Sequence, residues 1–150
     1  MLKIQRLKFK TRSFSKLLHY LKCLYKLIMI NSLNLKGGLQ NKIGPQLSFL
    51  IIVLKLVISN GIVFVCFYDD DIVGGLISFR SCIFKSKNFI DSIAVNQINH
   101  RNGLGSNLIY EFENYLLSKM QDKIFIYLKT LKKHNSKVIS FYMKNGFKFK

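Results

Sequence analysis

The stretch with the most chemical content runs from Phe89 to Ser106. A strand-like run, Phe89-Ile90-Asp91-Ser92-Ile93-Ala94-Val95, leads through Asn96-Gln97-Ile98-Asn99 into His100-Arg101-Asn102-Gly103-Leu104-Gly105-Ser106, and an amphipathic run follows. Glycines at 103 and 105 open the predicted helix. Lacking Cβ atoms, they let the backbone come close to a ligand, and the N–H groups of a first helical turn have no partners within the helix. With the helix dipole this makes an anion site fitted to a phosphate. Arg101 adds positive charge beside it, as a protonated His100 would. Two familiar phosphate loops do not fit. A Walker loop requires Lys and then Ser or Thr directly after its second glycine, where this chain has Ser106-Asn107. A dinucleotide fingerprint requires a third glycine at position 108, which is Leu108.

The other candidate groups carry less. Asp69-Asp70-Asp71 places three carboxylates in a row, a donor set for a hard cation. The same three residues separate two strand-like runs, 62–68 and 72–80, where a hairpin needs turn residues, and the turn is the preferred reading. Cys23, Cys66 and Cys82 are odd in number, far apart and without a CxxC pair, so neither a zinc site nor a disulfide framework is expected. Cys66 and Cys82 lie in apolar runs and read as buried thiols, which fits a reducing compartment.

These residues need elements to hold them. In residues 14–30, Phe14, Leu17, Leu18, Leu21, Leu24, Tyr25 and Ile28 recur at helical spacing, with Ser15, His19, Lys22 and Lys26 on the other side. Three readings of this basic amphipathic helix stand open: core packing, organelle targeting, and a membrane surface. Residues 31–46, rich in Asn and Gly, read as a loop. Residues 47–67 are apolar enough to span a bilayer, but Lys55 near the middle would cost about 2.5–3.5 kcal/mol there. Ser59-Asn60-Gly61 then breaks the run, which predicts a helix to about Ile58 and a buried strand from Ile62 to Tyr68. A strand at 72–80 containing Gly74 and Gly75, a basic loop with Lys85 and Lys87, and the strand 89–95 follow. Leu104, Leu108, Phe112, Tyr115 and Leu116 mark the buried face of a helix over 104–120, with Glu111 and Glu113 pointing out. A strand at 123–129 precedes a short helix capped by Asn135 and Ser136 and stopped at Gly146. Phe147 to Lys150 begin another extended piece. An antiparallel hairpin followed by a strand-helix-strand unit describes an α/β fold with a mixed sheet and helices on both faces.

The chain has 150 residues, enough for one domain, and its 49% hydrophobic content is enough for a core. Its net charge is +17, from 24 Lys and Arg against 7 Asp and Glu. Residues 1–60 hold 11 basic residues and no acid; residues 61–150 hold 13 basic and 7 acidic. A surplus of this kind suggests a polyanion. Yet 20 of the basic residues are Lys and only Arg6, Arg12, Arg80 and Arg101 are Arg, which argues against a dedicated nucleic-acid surface. A coding bias toward Lys, Asn, Ile and Phe is an equally good source of the charge.

The arrangement V-x4-[QR]-x-x-G-x-[GA]-S before an amphipathic helix resembles motif A of the GNAT superfamily of acetyl-CoA-dependent N-acetyltransferases. It stands here as Val95, His100, Gly103, Gly105 and Ser106. The pattern N-x6-Y-x3-G-F, standing as Asn135, Tyr142, Gly146 and Phe147, is similar to the family's motif B. The resemblance covers residues 61–148, taken as the acetyl-CoA-binding core. Residues 1–60, the basic N-terminal part of the same single domain, correspond only to a region where two helices would be expected.

The resemblance implies a GNAT-like, mostly antiparallel mixed sheet flanked by helices, with acetyl-CoA as cosubstrate and no metal. It implies that the main chain of Ile93, Ala94 and Val95 pairs with the pantetheine arm like an added strand. The amides of His100, Arg101, Asn102, Gly103, Leu104, Gly105 and Ser106 would hold the pyrophosphate, and Asn135 would sit beside the cofactor arm. Tyr142 would be the general acid that protonates the leaving thiolate, and Asp91, on the cofactor strand, could take the amine's proton directly or through water. The competing readings are a core aromatic for Tyr142 and a solvated strand residue for Asp91. Two departures stand out. His100 occupies a position where the family prefers Gln or Arg, and the chain reaches only three residues past Phe147, where the family continues through one more strand, so the last strand is expected to be missing or incomplete. The implied activity is N-acetyltransfer to a primary amine of a small molecule, protein or peptide. The alternatives are a non-catalytic acetyl-CoA-binding protein of the same fold and a basic protein associated with membranes or polyanions. A cytoplasmic location is expected, with organelle targeting through the basic N-terminus as the alternative.

Overall fold

From Ile62 to Tyr68 the side chains alternate between two cores, and that alternation sets the architecture. Val63 and Val65 point into one apolar cluster, Phe64 and Cys66 into another. The computed structural model describes residues 1–7, 14–32, 44–80, 87–119, 125–128 and 136–148. In chain order the elements are β1 (Leu2–Leu7), α1 (Phe14–Ser32), α2 (Pro45–Ile58), β2 (Ile62–Tyr68), β3 (Asp71–Arg80), β4 (Lys87–Val95), a 3-10 turn (Gln97–Asn99), α3 (Leu104–Lys119), β5 (Phe125–Leu128) and α4 (Ser136–Lys144). Among the described residues the sheet has five strands in the order β1-β2-β3-β4-β5. The first four are antiparallel; β4 and β5 are parallel, joined through α3. This is the expected mixed, mostly antiparallel sheet.

On one face α1 and α2 cover the sheet. Leu17, Leu21, Leu24 and Ile28 of α1 and Leu56 of α2 meet Val63, Val65, Ile77 and Ala94. Tyr25 and Phe49 join the two helices, their ring centroids 5.3 Å apart. A Cβ at Gly75 would meet Leu24 at 2.6 Å, so this glycine lets α1 lie close on the sheet. On the other face Leu104, Leu108, Ile109, Phe112 and Leu116 of α3 pack on Phe64, Cys66, Leu76 and Ile90, with Phe141 and Tyr142 of α4 at the margin. Cys66 is buried, as expected, and burial pushes its thiol pKa up. Cys82 lies outside the described residues.

The structure differs from the sequence expectations at four places. Residues 1–60 are not helical throughout: Leu2–Leu7 form an edge strand, paired antiparallel with β2 from Leu2 opposite Tyr68 to Leu7 opposite Val63. Leu2 and Ile4 alternate with Lys3 and Gln5 as in a strand, but Arg6 and Leu7 reverse the alternation, the run is short, and the partner lies beyond both N-terminal helices. Arg6 instead stacks on the Tyr115 ring, 4.2 Å from its centroid. Pro45, expected in a loop, opens α2, where its missing N–H is not needed. Lys87, expected in a loop, opens β4. Glu113, expected to point outward, is only half exposed, and burial raises its carboxyl pKa.

Asp69 and Asp70 form the two-residue turn of the β2–β3 hairpin, with Tyr68 opposite Asp71. Both have positive φ, 46° and 70°, the signature of a type I′ turn, which Asp tolerates better than most residues. The Asp69 carboxylate pairs with the Met1 amino group. Among the described residues no three His, Cys, Asp or Glu side chains gather as a metal site. Among them, too, no helix is long and apolar enough to cross a membrane. Phe147 and Lys148 belong to no helix or strand.

Candidate active site

The site is built around the second half of β4. Gly74 pairs with Val95, Gly75 with Ala94, Leu76 with Ile93 and Ile77 with Ser92, but Ser78 pairs with Ile90. Asp91 is therefore the extra residue of a β-bulge. Among the described residues, β5 pairs with β4 from Lys87 to Ile90. The Asn96 N–H donates to the Val73 carbonyl at 2.7 Å. Antiparallel pairs alternate, so Ala94 turns its main-chain groups toward β3, while those of Ile93 and Val95 turn to the opposite edge of β4. The side chain of Ala94 goes to the α1 face, and those of Ile93 and Val95 pack at the margin of the α3 face.

Asp91 is exposed, and its Oδ2 accepts a hydrogen bond from Ser92 Oγ at 2.9 Å. The carboxylate is thus presented to solvent at an irregularity of β4. The sequence suggested Asp91 as a proton acceptor but gave no sign of the bulge, because a bulge is a property of register between two strands.

Beyond Val95 the chain makes the 3-10 turn and returns toward the strand. His100 Nε2 donates to the Val95 carbonyl at 2.8 Å. The imidazole therefore closes the loop onto the end of β4, a side-chain role that the sequence did not indicate. Next, φ alternates in sign: Arg101 is at +67°, Asn102 is not in the positive region, and Gly103 is at +73°. Such alternation curls successive N–H groups toward one side, forming an anion-binding concavity. Arg101, Asn102 and Gly103 are all exposed. The first bond of α3 runs from the Asn107 N–H to the Gly103 carbonyl at 2.9 Å. This leaves the amides of Leu104, Gly105 and Ser106 without acceptors inside the helix. Concavity, free amides and helix dipole converge at one place, with the Arg101 charge beside them.

The two glycines do different things. Gly103 has nothing within 4 Å of a built Cβ, so its positive φ is the reason for glycine. Gly105 has no such φ, but a Cβ there would meet the Phe141 ring at 3.0 Å. It therefore lets α4 close on the first turn of α3. Next along α4, Tyr142 packs between Phe141 and Phe147, at centroid distances of 5.1 and 5.6 Å. Burial raises its phenol pKa, which keeps the proton on at neutral pH. The Phe147 N–H donates to the Tyr142 carbonyl at 3.1 Å, and Gly146, at φ +83°, makes the reversal that permits it. Asn135 lies outside the described residues.

Sequence reasoning missed one polar pair. Ser78 and Asn88 are diagonal neighbours on β3 and β4, 0% and 1% exposed, on the face that α3 covers. Ser78 Oγ and both polar atoms of the Asn88 amide lack a hydrogen-bond partner. A polar residue in a predicted strand reads as outward-facing, and only the register shift at Asp91 shows otherwise.

Comparison with known proteins supplies the family. The model of the Acetyltransferase (GNAT) family matches residues 43–147. The chain belongs to that family, and it is an acyltransferase. A search of curated protein sequences finds no match. Among solved structures, the chain is similar to an aminoglycoside acetyltransferase from an uncultured soil metagenomic sample, in complex with trehalose. That likeness has 21% identity and a TM-score of 0.66, over 99% of this chain and 91% of the other. It is also similar to an acetyltransferase of the GNAT family from Staphylococcus aureus Mu50, at 20% identity and TM-score 0.64, over 97% and 85%. A third is AAC(6')-Iy in complex with the bisubstrate analogue CoA-S-monomethyl-acetylneamine, at 13% identity and TM-score 0.67, over 99% and 92%. At these identities the likeness shows the fold.

Proposed function

We propose that this protein transfers an acetyl group from acetyl-CoA to a primary amine. The observation that carries the reading is the convergence of the Arg101–Gly103 concavity and the free amides of α3 at the end of the outward-turned edge of β4. A donor with a pyrophosphate and an amide-bearing arm matches both parts. The amides of Arg101 through Ser106 hold the pyrophosphate, with Arg101 as counter-charge; the His100 N–H, also expected there, already donates to the Gln97 carbonyl at 3.1 Å. The main chain of Ile93 offers the arm an extended edge, as in strand addition, next to the Val95 carbonyl that His100 holds. Asn135 is assigned to that arm by its motif position alone.

Acetyl-CoA, when bound, supplies an acetyl thioester whose carbonyl carbon is open to an amine. Asp91 takes a proton from the acceptor ammonium, directly or through water. A main-chain N–H of the β4 edge stabilises negative charge on the thioester oxygen. Tyr142 gives its phenol proton to the departing sulfur as the N–C bond forms and the C–S bond breaks. Solvent takes the second proton of the attacking nitrogen, removes the one held by Asp91 and returns one to Tyr142, so one proton is released for each acetyl group transferred. Aminoglycoside acetyltransferases among the similar structures agree with an amine acceptor.

Titration with acetyl-CoA, followed by calorimetry, tests the donor site. Saturable binding at sub-millimolar concentration is expected, and its absence overturns the reading. Thiol release with a panel of amines then separates catalysis from binding alone.

A further inference from the structure

We infer that the outer surface of α1 and α2 docks on an anionic lipid bilayer, with α2 lying flat against it. Along α2, Leu47, Leu50, Leu54, Val57 and Ile58 are 48–73% exposed. Their spacing of three, four, three and one residues puts them on one side of the helix, opposite buried Ser48 and Leu56. An unpartnered apolar stripe of this length marks a surface meant to be covered.

Charge selects what covers it. Lys55 is exposed on α2, and Lys22 and Lys26 are exposed on α1, the neighbouring helix joined to it through Tyr25 and Phe49. Residues 1–60 contain no acid to offset them. A second copy of this chain would bring the same uncompensated positive charge to the same face, which opposes self-association there. A nucleic acid matches the lysines but offers no apolar counterpart to five exposed aliphatic side chains. A bilayer bearing anionic lipid matches both: acyl chains for the leucines, headgroups for the lysines. With 14 residues α2 is about 21 Å long, short of the roughly 30 Å hydrocarbon core, so it lies on the bilayer. Docking leaves the donor loop clear. Gly61, just past α2, approaches the Ser78 carbonyl, at the end of β3 opposite the one where Gly74 pairs with Val95.

The test is flotation of the full chain with vesicles of phosphatidylcholine alone or with about one third phosphatidylglycerol. Binding is expected on the anionic vesicles only, weakening as salt is raised. The double substitution Leu50→Gln/Leu54→Gln lowers the partition coefficient at least about tenfold. Lys22→Gln and Lys26→Gln each lower it about fivefold. Far-UV circular dichroism confirms that each variant is folded. The chain contains no Trp, so Leu54→Trp makes a single reporter whose emission shifts to the blue on anionic vesicles. Failure to bind, equal binding to neutral vesicles, or partition unchanged by Leu50→Gln/Leu54→Gln overturns the inference. Association of the lipid-free protein that this double substitution abolishes overturns it in favour of a second copy.

Discussion

The two helical layers of this molecule present different kinds of surface. On the α3/α4 side the candidate site consists almost entirely of main chain: the edge of β4, the curled amides after Arg101 and the first turn of α3. Side chains there set geometry, with Gly105 making room for Phe141 and His100 tying the loop to Val95. On the α1/α2 side the backbone is fully used in helices, and recognition falls to exposed Leu, Val, Ile and Lys side chains. Net charge reports on the second kind of surface and is nearly blind to the first. In a chain of +17 the proposed donor site therefore contributes little to that number.

Substitutions can break this contrast, and the largest effect is expected at Tyr142. Tyr142→Phe should lower kcat about a hundredfold or more, while KM for acetyl-CoA stays within about twofold. In the parent enzyme the alkaline fall in kcat should begin above the ordinary phenol pKa of 10.0, because burial raises that of Tyr142. Unchanged turnover in the variant would return Tyr142 to the role of a core aromatic. Asn88→Leu comes next. Removing a buried amide with no partner should stabilise the fold by about 1–3 kcal/mol in urea denaturation. A loss of stability would mean that Asn88 has a partner after all.

Gly103→Val tests the main-chain character of the donor site directly. A β-branched residue at φ +73° costs about 1–2 kcal/mol, so acetyl-CoA affinity should fall about tenfold, with vesicle binding unaltered. The smallest effect is expected from Glu113→Gln. Burial raises the Glu113 pKa, so the carboxyl favours its protonated form in the fold and opposes folding as pH rises above its ordinary value of 4.5. The variant should melt slightly higher than the parent at pH 7, and the gap should close below pH 4.5.

How much of this was legible beforehand depended on whether the cause was local. Helix α3, its buried face and the paired glycines were readable because helical period and glycine chemistry act within a few residues. The hairpin turn at Asp69-Asp70 was readable for the same reason. Two features depend on register between distant segments: β1, whose partner follows two helices, and the bulge at Asp91, which exists only relative to Ile77 and Ser78. The burial of Asn88 follows from that register too. The family motifs located the donor loop, but they did not indicate that His100 would act through its side chain.

The pairing of β1 also bears on how the chain acquires its fold. The β2–β3 hairpin is closed by a two-residue turn and can form as soon as residues 62–80 are available, on a timescale of microseconds. Strand β1 is made first yet has nothing to pair with until β2 exists, so the apolar side of α1 must wait unsheltered during synthesis. Docking of β1 should then be a late, entropically costly step. Its amides should be among the first in the sheet to exchange with solvent deuterium. Edge pairing, more than core packing, would then limit how quickly a nascent copy becomes safe from aggregation.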